Sequence, residues 1–310
     1  MSHNIETSAA ALVRKSQGRP DLNESQICPT LLHQLYRSAK QCYEAADPRF
    51  ARRVLAVDGG STEEGSTPFY GVIVETRKHV GLEKVINSVV NTLDIPIQLF
   101  HGATNKEFIL HSGIARHIDS GAVALTAMDT ARFDARDYNS LLLSTEFWHA
   151  VRGREKVLIF QVDSICCNNS PYTLADFADF DYIGSSWESM RPSGLIIEGG
   201  CGGFSLRDWQ STIRSLRHYN PANWPGGEDG YFAFHMELMG GRVASNEQAS
   251  QFSSQCTFKA KSLGAHGVTA MSRHDRNAFL DYCPEAITLF PPIHRVLINL
   301  RSRSKTKRLL

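Results

Sequence analysis

From Phe69 onward, short apolar runs of strand length alternate with stretches whose apolar residues recur at helical spacing. No other feature limits the fold as tightly. Phe69–Glu75 reads as a strand, and Leu82, Val85, Ile86, Val89 and Val90 mark a helix. Pro96–Phe100 reads as a second strand, 105–118 as a helix, Ala122–Thr126 as a short strand and Tyr138–Val151 as a helix. Lys156–Gln161 follows as a strand with a buried centre. Strand–helix repetition through short connections predicts an α/β fold whose mixed, mainly parallel sheet is flanked by helices. Ligands of such sheets sit beyond the carboxyl ends of the strands, so the residues just after each strand carry most of the functional information.

The second half is less regular. Asp181–Gly184 and Gly203–Leu206 read as short strands, Arg207–Tyr219 as a helix, and Glu228–Met239 as a helix entered through Pro225, Gly226 and Gly227. Ahead of the alternating region, an amphipathic helix is expected over Pro29–Ala46, a short strand over Arg53–Asp58 and a loop over Gly59–Pro68. The expected organisation is therefore an N-terminal helical extension with its linker (1–66), a main domain (67–294) and a basic tail (295–310). The tail carries Arg295, Arg301, Arg303, Lys305, Lys307 and Arg308, against a net charge of only +1 for the 310 residues. A frayed terminus is the plain reading of that tail, and an anionic partner the alternative. Seven cysteines without a C-x-x-C pair point to reduced thiols in a cytoplasmic protein. The first residues lack a signal pattern, and no apolar run nears the roughly 20 residues that cross a bilayer, so a soluble protein is expected. Walker, H-E-x-x-H, G-x-S-x-G and Rossmann fingerprints are absent from the sequence.

Four segments could carry chemistry. Leu158–Ser164 is an apolar strand ending in Gln161, Val162 and Asp163, which puts a carboxylate at the ligand edge; an isolated Asp there more often caps a turn. Trp224–Tyr231 places Glu228 and Asp229 after paired glycines at a helix start, where the dipole favours negative charge. Between them, Gly199–Arg207 is glycine-rich, and Gly202 and Gly203 permit close approach to a ligand or simply enter a hairpin. Gly264-Ala-His-Gly267 contributes a lone His266, which by itself has no assigned role. After the first two strands come Glu75 and Arg77, and then His101, candidates for a nucleotide by position alone.

Taken together, these elements resemble GT-A glycosyltransferases. Gln161-Val162-Asp163 stands where their D-x-D triplet would be, and Gly-Gly-Glu-Asp beside Trp224 and Tyr231 is similar to the acceptor segment of inverting members such as the β-1,4-galactosyltransferases. A narrower resemblance is to a family of soluble glycosyltransferase-like domains long without a known function. It rests on F-Q-x-D-S, Tyr138-Asn-Ser-Leu-Leu142, Phe147-Trp148, Asp181-Tyr-Ile-Gly184 and Gly-Gly-Phe-Ser-Leu-Arg, and covers roughly residues 69–290. The resemblance implies a GT-A-like fold and inverting transfer of a sugar from a nucleoside diphosphate donor to a hydroxyl or amine. Asp229 would be the base, Glu228 would orient the acceptor, and Gly202 and Gly203 would shape that site. Glu75, Arg77, His101 and Gln161 would lie on the donor side. Asp163 and His266 would hold manganese or magnesium against the diphosphate. Gln161 replaces the first carboxylate of the triplet, which weakens the metal site that the motif implies. The alternative on the same scaffold is an aminoacyl-tRNA-dependent enzyme like the fungal arginine-containing cyclodipeptide synthases, in which the acid pair could grip a guanidinium. A non-catalytic nucleotide- or carbohydrate-binding protein is the third reading.

Overall fold

The computed structural model describes residues 67–130, 133–187, 198–221 and 227–289. The expected helix over Pro29–Ala46, the strand over Arg53–Asp58 and the basic tail lie outside these residues.

Among the described residues nine strands follow one another: β1 (Phe69–Glu75), β2 (Ile97–Gly102), β3 (Val123–Met128), β4 (Lys156–Phe160), β5 (Ser164–Cys166), β6 (Tyr182–Ser185), β7 (Cys201–Asp208), β8 (Ser253–Ser254) and β9 (Gly264–His266). Six of them form the main sheet in the order β3-β2-β1-β4-β7-β6, and β5-β9-β8 form a small second sheet. The strands from β3 to β4 are parallel, while β7 runs antiparallel to both β4 and β6. This is the mixed, mainly parallel sheet that the alternation predicts.

Side-chain alternation explains why both faces are covered. Within β4, Val157 and Ile159 enter one buried cluster, and Leu158 and Phe160 enter the other. Val72 and Ile73 of β1 divide in the same way. One face is closed by α1 (Leu82–Leu93), through Leu82, Val85, Ile86 and Val89, and by Ile109 of α2 (Lys106–Leu110). No side chain caps α1, so tertiary packing holds it, at about 1.5–3 kcal/mol for each large apolar side chain removed from water. A charge at Val85 would break that packing. The chain then forms α3 (Ala115–Asp119). The other face is covered by α4 (Ala135–Leu142), α5 (Thr145–Ala150), α6 (Trp209–His218) and α7 (Glu228–Leu238), with Leu141, Trp148, Ile213 and Phe232 in one cluster. Then follow α8 (Asn246–Phe252) and α9 (Arg273–Tyr282); α9 packs Phe279 and Leu280 against Ile165 and Ala265 of the small sheet.

Three boundaries differ from the sequence reading. The expected 105–118 helix divides into α2 and α3, because Gly113 donates its N–H to Glu83 and the Ser112 hydroxyl accepts the Ile114 N–H. The expected Tyr138–Val151 helix divides into α4 and α5. Asp134 starts α4 three residues earlier than expected through a capping box with Asp137, and Ser144 caps α5. Arg207 belongs to β7 and not to the following helix, which begins at Trp209 after an Asp208 cap. That last shift matters for the site.

Candidate active site

The chain runs from β1 to β2 and β3 on one side, and β4 then lies on the other side of β1. Beyond the carboxyl ends of β1 and β4 is therefore a topological switch point, the crevice where open α/β sheets bind ligands. A cavity of about 460 Å³ opens there, lined by Val74 to Arg77 and His79 after β1, by Gln161 to Asp163 after β4, and by Phe133 to Ala135 and Tyr138 around the start of α4.

Glu75 is buried at the end of β1, and its carboxylate accepts both arms of the Arg77 guanidinium, at 2.9 and 2.7 Å. The Glu75 hydrogen bond raises the Arg77 pKa, and an exposed guanidinium held by a buried carboxylate stands at the cavity wall. His79 accepts the Gly81 N–H on Nδ1 at 3.0 Å, which leaves its other nitrogen as a donor. His101, expected just after the second strand, lies within β2, where it is buried against the Gly102 carbonyl and does not line the cavity.

Because β7 runs against β4, its amino-terminal end lies beside the carboxyl end of β4, and Gln161 donates its N–H to the Gly203 carbonyl at 2.9 Å. The small sheet adds β9 alongside, in register Ser164 to His266. These two pairings bring Gln161, Asp163, Cys201, Gly203 and His266 together. His266 Nε2 lies 3.3 Å from Asp163 Oδ1 and 3.2 Å from Gln161 Oε1, with Nδ1 3.9 Å from the Cys201 sulfur. Burial opposes a charge on His266, yet the hydrogen bonds from Asp163 and Cys201, with their charges, push the imidazole up to about 10. Burial also works to raise Asp163, but the His266 hydrogen bond and charge hold its carboxyl below the ordinary range.

Among the described residues no three His, Cys, Asp or Glu side chains gather as a metal site. The donor set changes once Gln161 is counted. An imidazole nitrogen with two oxygens at 3.2 and 3.3 Å matches the spacing of about 3 Å between neighbouring ligands on an octahedral ion with bonds near 2.1 Å. Gln161, Asp163 and His266 are thus the side chains here that could hold a divalent cation.

On the other side of the same glycines lies the acid pair. Arg207 has 0 % exposure and grips Glu228, itself 4 % exposed, through Nη1–Oε2 at 2.6 Å and Nη2–Oε1 at 3.0 Å. The rings of Trp148, Tyr182 and Phe232 surround the guanidinium at 5.1–5.8 Å. Burial raises the Glu228 pKa against the opposing pull of Arg207. Glu228 is thus engaged inside the protein: its expected role in orienting an acceptor, and the idea that it grips a substrate guanidinium, meet a carboxylate already occupied by Arg207. Asp229 is left facing the sheet edge, with Oδ1 accepting the Gly230 N–H at 2.7 Å and Oδ2 3.5 Å from the Gly202 N–H. Asn139 ties the helix start to α4 by accepting the Glu228 N–H at 2.7 Å.

The glycines make room for these side chains. A methyl group at position 202 would collide with Glu228 Oε1 and stand 2.8 Å from Arg207 Nη2; one at 203 would collide with the His266 ring. A steric need of the site's own residues thus accounts for glycine at 202 and 203, apart from the expected approach to a ligand. Tyr138, Asn139, Cys201 and Arg207 stand inside the motifs quoted above, but the sequence assigns none of them a role of its own. An arginine inside an apolar strand is the visible signal, and reading Arg207 as the start of the next helix hides it.

A family model described as a protein of unknown function (DUF5672) matches residues 123–269. That span holds both sides of the site except the residues after β1. No curated protein matches the chain. Among solved structures, a galactosyltransferase in complex with donor and acceptor sugar analogues is 13% identical, over 73% of this chain and 99% of its own, at a TM-score of 0.46. A mannosyltransferase from Pyrobaculum calidifontis, in complex with GDP-Man and Mn2+, is 14% identical over 95% of this chain and 80% of its own, at 0.43. A third, TarS of S. aureus with UDP-GlcNAc, is 11% identical over 74% and 70%, at 0.38. At such scores these likenesses give no weight to any substrate. No described helix is long and apolar enough to cross a membrane.

Proposed function

We propose that the chain is a GT-A-like glycosyltransferase that takes a sugar from a nucleoside diphosphate donor and passes it, with inversion, to a hydroxyl or amine. One observation supports this reading: at the start of β7 the Gln161–Asp163–His266 group lies on one side and Asp229 on the other, with Gln161 and Asp163 lining the switch-point cavity and His266 and Asp229 set behind its wall. The first group suits a diphosphate and the second suits an incoming nucleophile. Glu75 holds Arg77 at the cavity wall, where a fixed guanidinium can pair with phosphate oxygens. Asp163, His266 and Gln161 would hold a divalent cation, which when bound offsets charge on the departing nucleotide. Asp229 is the carboxylate free of the Arg207 pairing, and it takes the proton of the acceptor as the acceptor oxygen or nitrogen attacks the sugar. Arg207 and Glu228, in this reading, hold the start of α7 in place.

Asp229→Asn tests the division of labour. With the active nucleotide sugar identified by a transfer screen, the variant should keep donor affinity in calorimetry while turnover falls by roughly 10²–10⁴. Undiminished turnover would remove Asp229 from the role of base.

A further inference from the structure

The cavity wall contains one polar group that the protein leaves unused. Tyr138 sits on α4 and lines the cavity, with its ring edge-on to Phe133 at 6.2 Å. Its hydroxyl is buried and has no hydrogen-bond partner among the described residues. Buried hydroxyls are normally satisfied, and one without a partner at the wall of a cavity is a mark of a missing ligand group. Its setting defines that group's chemistry. It shares the cavity wall with Gln161 and Asp163, Gln161 lies close enough to favour its ionised form without meeting hydrogen-bond geometry, and Glu228, Arg207 and Cys201 lie near it on the other side. Burial and the Glu228 charge raise its pKa, and the phenol is therefore a neutral donor and acceptor.

We propose that the Tyr138 hydroxyl binds a hydroxyl or amide substituent on the transferred sugar and so sets which sugar the enzyme accepts; this rests on the donor reading above. Its position is between the groups assigned to the diphosphate and to the base, which is where the sugar of a donor must lie. A site built to hydrogen-bond a substrate group discriminates strongly against analogues that lack it, because its own polar atom is then left unpaired.

The test is Tyr138→Phe, which keeps the ring and deletes only the unpaired oxygen. Calorimetry would compare UDP and GDP with a panel of UDP- and GDP-sugars, alongside thermal melting of both proteins. The expected result has three parts. The variant binds the bare nucleotide as the wild type does. It binds the preferred nucleotide sugar about tenfold more weakly, the loss of one hydrogen bond. Its melting temperature is unchanged or higher, because an unsatisfied group has gone. Equal affinity of both proteins for the nucleotide sugar would overturn the proposal while leaving the donor reading in place. Equal losses for UDP and for the UDP-sugar would also overturn it, by moving Tyr138 to the nucleotide. Failure of the wild type to bind any nucleotide or nucleotide sugar would instead remove the donor reading, and the proposal with it.

Discussion

The contact between Gly203 and His266 makes a quantitative case for how the site is built. An added methyl at Gly203 would overlap the imidazole, with Cδ2 at 2.7 Å and Nε2 and Cε1 nearer still. Apolar contacts settle at about 3.5–4.0 Å, so the ring must retreat by roughly 1 Å. Such a retreat lengthens the 3.3 Å approach to Asp163 and the 3.2 Å approach to Gln161 together. Overpacking of this kind costs about 1–3 kcal/mol. For a domain of this size that is a fall in Tm of roughly 2–12 °C. The decisive measurement is a double-mutant cycle by urea denaturation on the wild type, Gly203→Ala, His266→Ala and the double variant. Once the ring is gone, the methyl has room, so Gly203→Ala in the His266→Ala background should cost under about 0.5 kcal/mol. The coupling should therefore be about 1–3 kcal/mol, far outside ordinary additivity. Additive effects, or a Gly203→Ala protein as stable as the wild type, would refute the steric account of this glycine.

Two further outcomes follow from buried charges. Glu228→Gln leaves the enclosed Arg207 cation half-compensated and should destabilise by about 3 kcal/mol in denaturant titration, whereas Arg207→Met combined with Glu228→Gln should cost less than the two single changes summed. Unchanged stability of Glu228→Gln would show that the pair does not compensate charge. His235, fully buried in α7, has its pKa lowered to about 3 by burial. Since the unfolded chain takes up that proton near pH 6.5, stability is untouched above that pH. Below it, stability falls by about 1.4 kcal/mol per pH unit down to about pH 3. His235→Leu should flatten this part of the acid limb in stability measured between pH 6.5 and 4.5, and an unchanged slope would clear His235 of the effect.

The mainly parallel sheet is easy to read in the sequence, because β1, β2 and β4 are apolar runs that a two-faced parallel sheet demands; the order of its strands is not. The sequence also draws attention to Asp163, Asp229 and His266, since Asp163 follows an apolar strand and the other two stand beside glycine. What remained hidden was the pairing partner of each. Glu228 and Asp229 are neighbours of the same chemical type, and only the fold shows that one faces Arg207 and the other faces the Gly202 amide. His101 is a candidate by position alone, and yet it lies within β2 with its ring turned onto the Gly102 carbonyl. Tyr138 was assigned to a helix start on periodicity, while its burial depends on β4 and α7, elements far along the chain. The breaks at Gly113 and Ser144 were missed for a similar reason: each depends on one side-chain hydrogen bond, and periodicity is blind to those.

The position of β1 in the sheet also bears on how the chain is made. It is the first described strand to leave the ribosome, but its second neighbour, β4, begins at Lys156, 81 positions after Glu75 (156 − 75). At about 5–20 residues per second, synthesis leaves that edge open for roughly 4–16 s. Throughout that interval β1 and β2 can pair, but the open edge of β1 is free to recruit a strand from another chain. Yield in the cell should therefore depend on translation speed through 76–156 and on chaperones that shield a strand edge, even for variants whose finished fold is as stable as the wild type.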